Sequence, residues 1–225
     1  MKRELFDAIE SYMYSCMDGS AHDTQHVYRV LWNGLQIAAT ETDVDYDVLI
    51  AACLLHDIGR PEQLADPTLC HAQVGEEKAG DFLAGLGLEE DFIQKVCHCI
   101  RTHRFSNRCT PRTIEAMILF DADKLDVTGL IGIARTLQYQ GQNDHPLYTL
   151  RPDGLPSDGT ADPAKSFFQE YKRKLEPLYD TFYTASGAAM AQQHKKAAEA
   201  FYSTLYRQVC QGIQEGKATL ADILE

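Results

Sequence analysis

The sequence predicts an all-α protein, and three observations carry that reading. Apolar residues recur with helical spacing through most of the 225 residues. No segment sustains the alternation expected of a half-buried strand. Gly, Pro and capping residues fall where the helices would have to begin and end.

Taken in order, residues 3–17 form a first helix, stopped near Gly19. A second begins between Ser20 and Asp23 and runs to about Ala39. Its apolar stripe is Val27, Val30, Leu31, Leu35 and Ala38, with His26 beside it, one turn before Val30. Asp45 is placed to N-cap a third helix over 46–58, which Gly59 and Pro61 end. Its run from Val48 to Leu55 is apolar on nearly every face, which predicts a central, buried helix. Two more follow over 71–86 and 89–104, the latter with Ile93, Val96, Ile100 and His103 on one stripe. Thr110 and Pro111 suit the N-cap and first turn of a sixth helix, through Ile114, Met117, Ile118, Ala122 and Leu125.

Helical stretches over 127–139 and 166–213 complete the chain, the second broken near Pro177 and Gly187. Between them, residues 140–163 are rich in Gly, Pro, Asp and Asn and form the one long loop. Without an internal repeat or a Gly/Ser-rich linker, the expectation is a single domain over 1–225 with its core at about 20–130.

Composition narrows the function classes. The 33 acidic and 21 basic residues leave a net charge of −12, which opposes a nucleic-acid polymer as partner. A small anionic substrate would need a local cation. No run approaches the length and apolarity of a membrane span, and the N-terminus lacks the apolar core of a signal peptide. Seven cysteines without a CxxC pair suggest neither a disulfide framework nor a zinc ribbon, so a reduced, cytoplasmic setting is expected.

The chemistry shows where polar residues interrupt apolar helices. His56 and Asp57 end the most apolar helix of the chain, and burying them is costly unless they are paired or ligate a metal. His26 lies beside a core face, and Asp121-Ala-Asp-Lys-Leu-Asp126 interrupts the sixth helix. Two histidines with two carboxylates suit a divalent ion such as manganese, iron, zinc, cobalt, nickel or magnesium. By residue type alone, Asp121, Asp123 and Asp126 are all candidates.

The series His26…His56-Asp57…Asp123 resembles the signature of the HD-domain superfamily of metal-dependent phosphohydrolases. Its context includes His26-Val-Tyr-Arg-Val30, Leu54-Leu-His-Asp-Ile-Gly59 and Asp121–Asp126. The continuation from Asp126 to Arg135, and the helices from Lys165-Ser-Phe-Phe168 onward, are similar to a bacterial branch of HD proteins of this length. The resemblance implies a helical HD bundle with a C-terminal helical extension, and metal ligands at His26, His56, Asp57 and Asp123. Asp123 is chosen because it stands three residues before the second Asp of the DxxD element. Lys124 resembles a position where nucleotide-cleaving relatives hold phosphate. His71 and His103 resemble the second-metal ligands of binuclear relatives, or phosphate contacts and proton donors in single-metal ones, and a single metal is the favoured reading. The chain departs from one pattern: where some nucleotidase branches carry a catalytic Glu, three residues after the HD Asp, it has Arg60.

The implied activity is hydrolysis of a phosphoester or phosphoanhydride of a small nucleotide. Asp57 would orient water, and Lys124, Arg60 and His103 would face the substrate. The competing readings are a di-iron oxygenase and a non-catalytic nucleotide-sensing module. Cys97-His-Cys99 is read as packing, His22 as a cap or surface residue, His194 as an exposed residue of the last helix, and Gly34, Gly129 and Gly132 as close-packing points.

Overall fold

The computed structural model describes residues 1–17, 21–104, 109–162 and 164–224, the side chains of 21–23 excepted. The stop expected at Gly19, the start at Ser20 and the side chain of His22 lie outside them. The chain folds into two compact units, one of Met1–Asp126 with Phe182–Ala188, the other of Val127–Thr181 with Ala189–Glu225.

The first unit contains α1 (Arg3–Cys16), α2 (Ala21–Ala38), α3 (Tyr46–Leu55), α4 (Arg60–Ala65), α5 (His71–Gly85), α6 (Glu90–Thr102) and α7 (Ile114–Leu125). Asp45 caps α3 as expected, its carboxylate accepting from the N–H groups of Asp47 and Val48 at 3.0 and 3.2 Å. From Val48 to Leu55 every residue but Ile50 is buried, and α1, α2, α6 and α7 surround the helix. Gly34 of α2 lets that helix approach Cys53, whose Sγ would lie 3.2 Å from a Cβ there.

α3 ends at Leu55, short of the expected 58, and after a turn over 56–59 Pro61 sits in the first turn of a helix absent from the sequence reading, α4. Gly59 is required for a reason the sequence does not show. A Cβ there would meet the carbonyl oxygen of His71 at 2.3 Å, so only glycine lets the α3–α4 turn close onto α5. The start of α7 also differs from expectation. Thr113, rather than Thr110, is its N-cap, accepting from the Ala116 N–H at 3.3 Å.

The second unit holds α8 (Gly129–Gln142), α9 (Phe167–Glu170), a π-helical turn (Tyr171–Leu175), a 3-10 turn (Glu176–Asp180) and most of α10 (Ala185–Leu224). Tyr171 and Tyr202 stack at 4.2 Å inside it. Within the long loop, Leu150 and Pro156 form an antiparallel bridge, flanked by the Ser157 N–H donating to Thr149 O at 2.9 Å.

Three expectations about the last helices are corrected. The interruption lies between Asp180 and Ala185, and α10 continues to Leu224. Gly187 sits within its first turn because a Cβ there would meet Asp121 Oδ2 at 2.7 Å. His194 is half-buried rather than exposed, with Thr128 Oγ1 2.7 Å from its Nδ1.

Candidate metal centre

Six side chains from five places in the first unit converge: His26 on α2, His56 and Asp57 just beyond α3, His71 opening α5, His103 just beyond α6, and Asp123 on α7. All but Asp123 are buried. His26, His56 and Asp123 form one group of close donor atoms, and Asp57, His71 and His103 another.

Asp57 joins the two groups through its separate oxygens. Its Oδ2 lies 3.6 Å from His26 Nε2 and 3.8 Å from His56 Nε2. Its Oδ1 lies 3.5 Å from His71 Nε2 and 3.7 Å from His103 Nε2. Asp123 Oδ1 is 3.2 Å from His26 Nε2 and 4.0 Å from His56 Nε2.

Each imidazole is turned so that Nε2 faces the centre, and each has an oxygen at Nδ1 to hold it there. His56 Nδ1 lies 2.8 Å from Cys53 O and His103 Nδ1 2.6 Å from Ile100 O, both carbonyls of the preceding helical turn. His71 Nδ1 lies 2.9 Å from Gln63 Oε1, and His26 Nδ1 2.7 Å from Asp126 Oδ2. An Nδ1–H donated to such an oxygen leaves the Nε2 lone pair pointing inward, the tautomer that a metal ligand needs. The consequence is two close nitrogen pairs, His26–His56 and His71–His103, each with 3.3 Å between Nε2 atoms. Facing lone pairs at that distance repel, so each pair calls for a proton or a cation. Four nitrogens and two carboxylates are a donor set that a borderline or hard divalent ion fits.

The three carboxylates left open by residue type separate clearly. Asp123 reaches the donor group. Asp126 instead holds His26 Nδ1 and accepts from Arg29, whose Nη2 lies 3.0 Å away. Asp121 turns away to the start of α10, where it accepts from the N–H groups of Tyr183 and Thr184 at 2.9 and 2.7 Å and from Thr184 Oγ1 at 2.7 Å.

Of the cations, Arg60 reaches the cluster, with Nε 3.0 Å from Asp57 Oδ1. Lys124 is not a solvated helix-end charge. It is buried, with Nζ 5.5 and 5.0 Å from the ring centres of Phe120 and Phe182. Cys97 and Cys99 are buried thiols outside either donor group. The role of Gln63 was missed in sequence, where nothing signalled it.

Burial works against a charged His26, but hydrogen bonds to Asp123 and Asp126 outweigh it and raise its pKa to about 9. Burial dominates at His56 and His71 and lowers them to about 4 and about 3, so both are neutral and available as ligands. At His103 burial also opposes charge, but the Asp57 hydrogen bond and the charges of Asp123 and Asp57 raise it. Asp57 and Asp123 are held below the usual carboxylate range. Burial is overcome at Asp57 by His56, His103 and Arg60, and at Asp123 by His26 and His56.

Residues 24–128 match the family described as HD domain. The chain carries an HD domain. It is 31% identical to the uncharacterized protein YpgQ of Bacillus subtilis over 135 residues, 58% of this chain and 63% of that protein, so the match spans less than two thirds of the relative. The crystal structure of YpgQ in complex with ADP superposes with a TM-score of 0.69 at 25% identity, covering 91% of this chain and 97% of that one. An HD-superfamily hydrolase from Bacillus thuringiensis gives 0.71 at 26% identity over 92% and 98% of the two chains. One from an uncultured Thermotogales bacterium, described as a predicted HD superfamily hydrolase, gives 0.60 at 28% over 92% and 91%. No helix among the described residues of this HD-domain chain is long and apolar enough to cross a membrane.

A pH prediction follows from His26. In metal-free protein its raised pKa contributes stability that is fully present below about pH 6.5 and lost as the pH rises through about 9. The depressed Asp57 and Asp123 act oppositely, contributing above about pH 4 and losing that contribution as the pH falls through their folded values. A metal held by His26 would have to displace its proton, so binding there should release protons and strengthen toward about pH 9. The expected result is a rise in melting temperature on adding Mn(II) that grows between about pH 6.5 and about pH 9. A gain that stays flat across that window would remove His26 from the ligand set.

Proposed function

We propose that this chain is a metal-dependent phosphohydrolase acting on a small nucleotide, with His26, His56, Asp57 and Asp123 holding one divalent ion. The observation that carries the reading is the inward orientation of the Nε2 atoms, each fixed by an oxygen at Nδ1. An ion there supplies Lewis acidity toward a phosphoryl oxygen and acidifies water at neutral pH.

The protein's own groups do the rest. Asp57, held ionised by its neighbours, accepts a hydrogen bond from the attacking water and orients it. His103, its pKa raised, hands a proton to the leaving oxygen. Arg60 and the neutral His71 flank Asp57 Oδ1, where phosphate oxygens would be received. Lys124, packed between two rings, takes no part in this scheme, and the phosphate contact passes to Arg60. The ADP bound to YpgQ supports a nucleotide for this chain too.

The test is a phosphate- and pyrophosphate-release screen over nucleoside mono-, di- and triphosphates with each divalent ion, alongside elemental analysis of the purified protein. Turnover of at least one nucleotide is expected with manganese or a neighbouring transition ion, and none after chelation. His103→Gln should keep the metal content and lose about 10²-fold or more in turnover, the scale of a lost general acid. Two bound irons with oxygen consumption and no phosphate release would replace this reading by the oxygenase.

A further inference from the structure

Asp57 offers its two oxygens to two triads of donors, yet the two halves of the cluster are not equivalent. The half built on Oδ2 sets imidazoles against Asp57 and Asp123. The half built on Oδ1 already carries a positive charge, because Arg60 Nε lies 3.0 Å from the oxygen that His71 and His103 also face. A guanidinium stays protonated across the working pH range, so this charge cannot titrate away.

Local structure holds the arginine in place. Arg60 opens α4 immediately after the Gly59 turn, with Pro61 fixing the first turn. The three-residue spacing brings its guanidinium back onto Asp57, and its Nη1 lies 3.4 Å from Gln63 Oε1. Gln63 is the residue that orients His71. One short helix therefore controls both the oxygen and one nitrogen of the second triad.

We infer that Arg60 is a built-in competitor for a second cation, occupying Asp57 Oδ1 and limiting the centre to one tightly held ion. This rests on the metal-holding reading proposed above. A fixed positive charge a few ångströms from where a second dication would sit opposes it by direct Coulomb repulsion, and weak screening in a buried cluster keeps that repulsion large. An arriving phosphate group draws on the same guanidinium and loosens its hold on Oδ1. Second-ion entry is thereby coupled to the anionic substrate.

The experiment titrates metal-free protein with Mn(II), following the free ion by electron paramagnetic resonance and the bound ion by elemental analysis. Wild-type protein should hold one ion tightly. Arg60→Met, which removes the charge and keeps an unbranched stem, should bind the second ion at least about tenfold more tightly, giving a stoichiometry near two. Arg60→Lys should behave as wild type because the charge remains. The side chain is 41% exposed, and circular dichroism on each variant checks that the fold is kept. Arg60→Met that still takes one ion, Arg60→Lys that takes two, or wild type that takes two of like affinity would each overturn the inference while leaving the metal reading intact. Wild-type protein that binds no ion, or His56→Ala that binds as wild type does, takes down the metal reading itself.

Discussion

Replacing His56 and Asp57 together by alanine is expected to leave protein with no bound metal and with turnover reduced by about 10³-fold or more. The two residues supply one nitrogen and both oxygens of the group that joins the two triads, so no donor set of three survives around Asp57. The change also has a structural cost, because His56 is fully buried and its Nδ1 is bonded to Cys53 O. Asp57→Asn separates the effects: it keeps the shape and removes the charge, and should lose the metal at a smaller cost in melting temperature than the double variant. Elemental analysis beside a thermal melt reads both, and unchanged metal content in the double variant would sink the proposed centre.

Asp121→Ala should show the opposite pattern, a large loss of stability with metal binding retained. Asp121 is fully buried, and alanine would strand the N–H groups of Tyr183 and Thr184 and the Thr184 hydroxyl. Buried donors left without partners cost about 3 kcal/mol in total, or roughly 6–12 °C in melting temperature for a chain of this size. Asn at this position keeps one acceptor and should lose about half as much. Asp123→Asn completes the comparison with no metal and a smaller loss of stability than Asp121→Ala. If Asp121→Ala instead melts normally and loses the ion, the roles of the two carboxylates are exchanged.

These contrasts show where the sequence was legible. A run from Val48 to Leu55 with no polar face could only be central, and it is. His56 and Asp57 at its end, His26 beside a core stripe and His103 on another all arrive at one cluster, because helical period and burial alone set their faces. The gaps have a common cause in contacts made across the chain. Pro61 reads equally well as a stop and as a first turn, so α4 was invisible. Gly187 looked like a break because its reason, the approach of Asp121, lies 66 residues upstream. Lys124 read as a phosphate contact by resemblance, and nothing local showed that it packs against Phe120 and Phe182. The Nδ1 partners include two backbone carbonyls, which carry no residue signature at all.

The burial of α3 has a kinetic meaning. Amide hydrogens in such a helix exchange with solvent only when the whole domain opens, whereas those of a short, partly exposed segment such as α4 exchange through local fluctuations. The backbone leading into His56 and Asp57 is thus expected to be among the slowest to exchange, and that of Arg60 and Gln63 to be faster. Under the proposed reading, metal ligands and counter-charge would sit on adjacent segments with separate clocks, which hydrogen exchange along α3 and α4 would read.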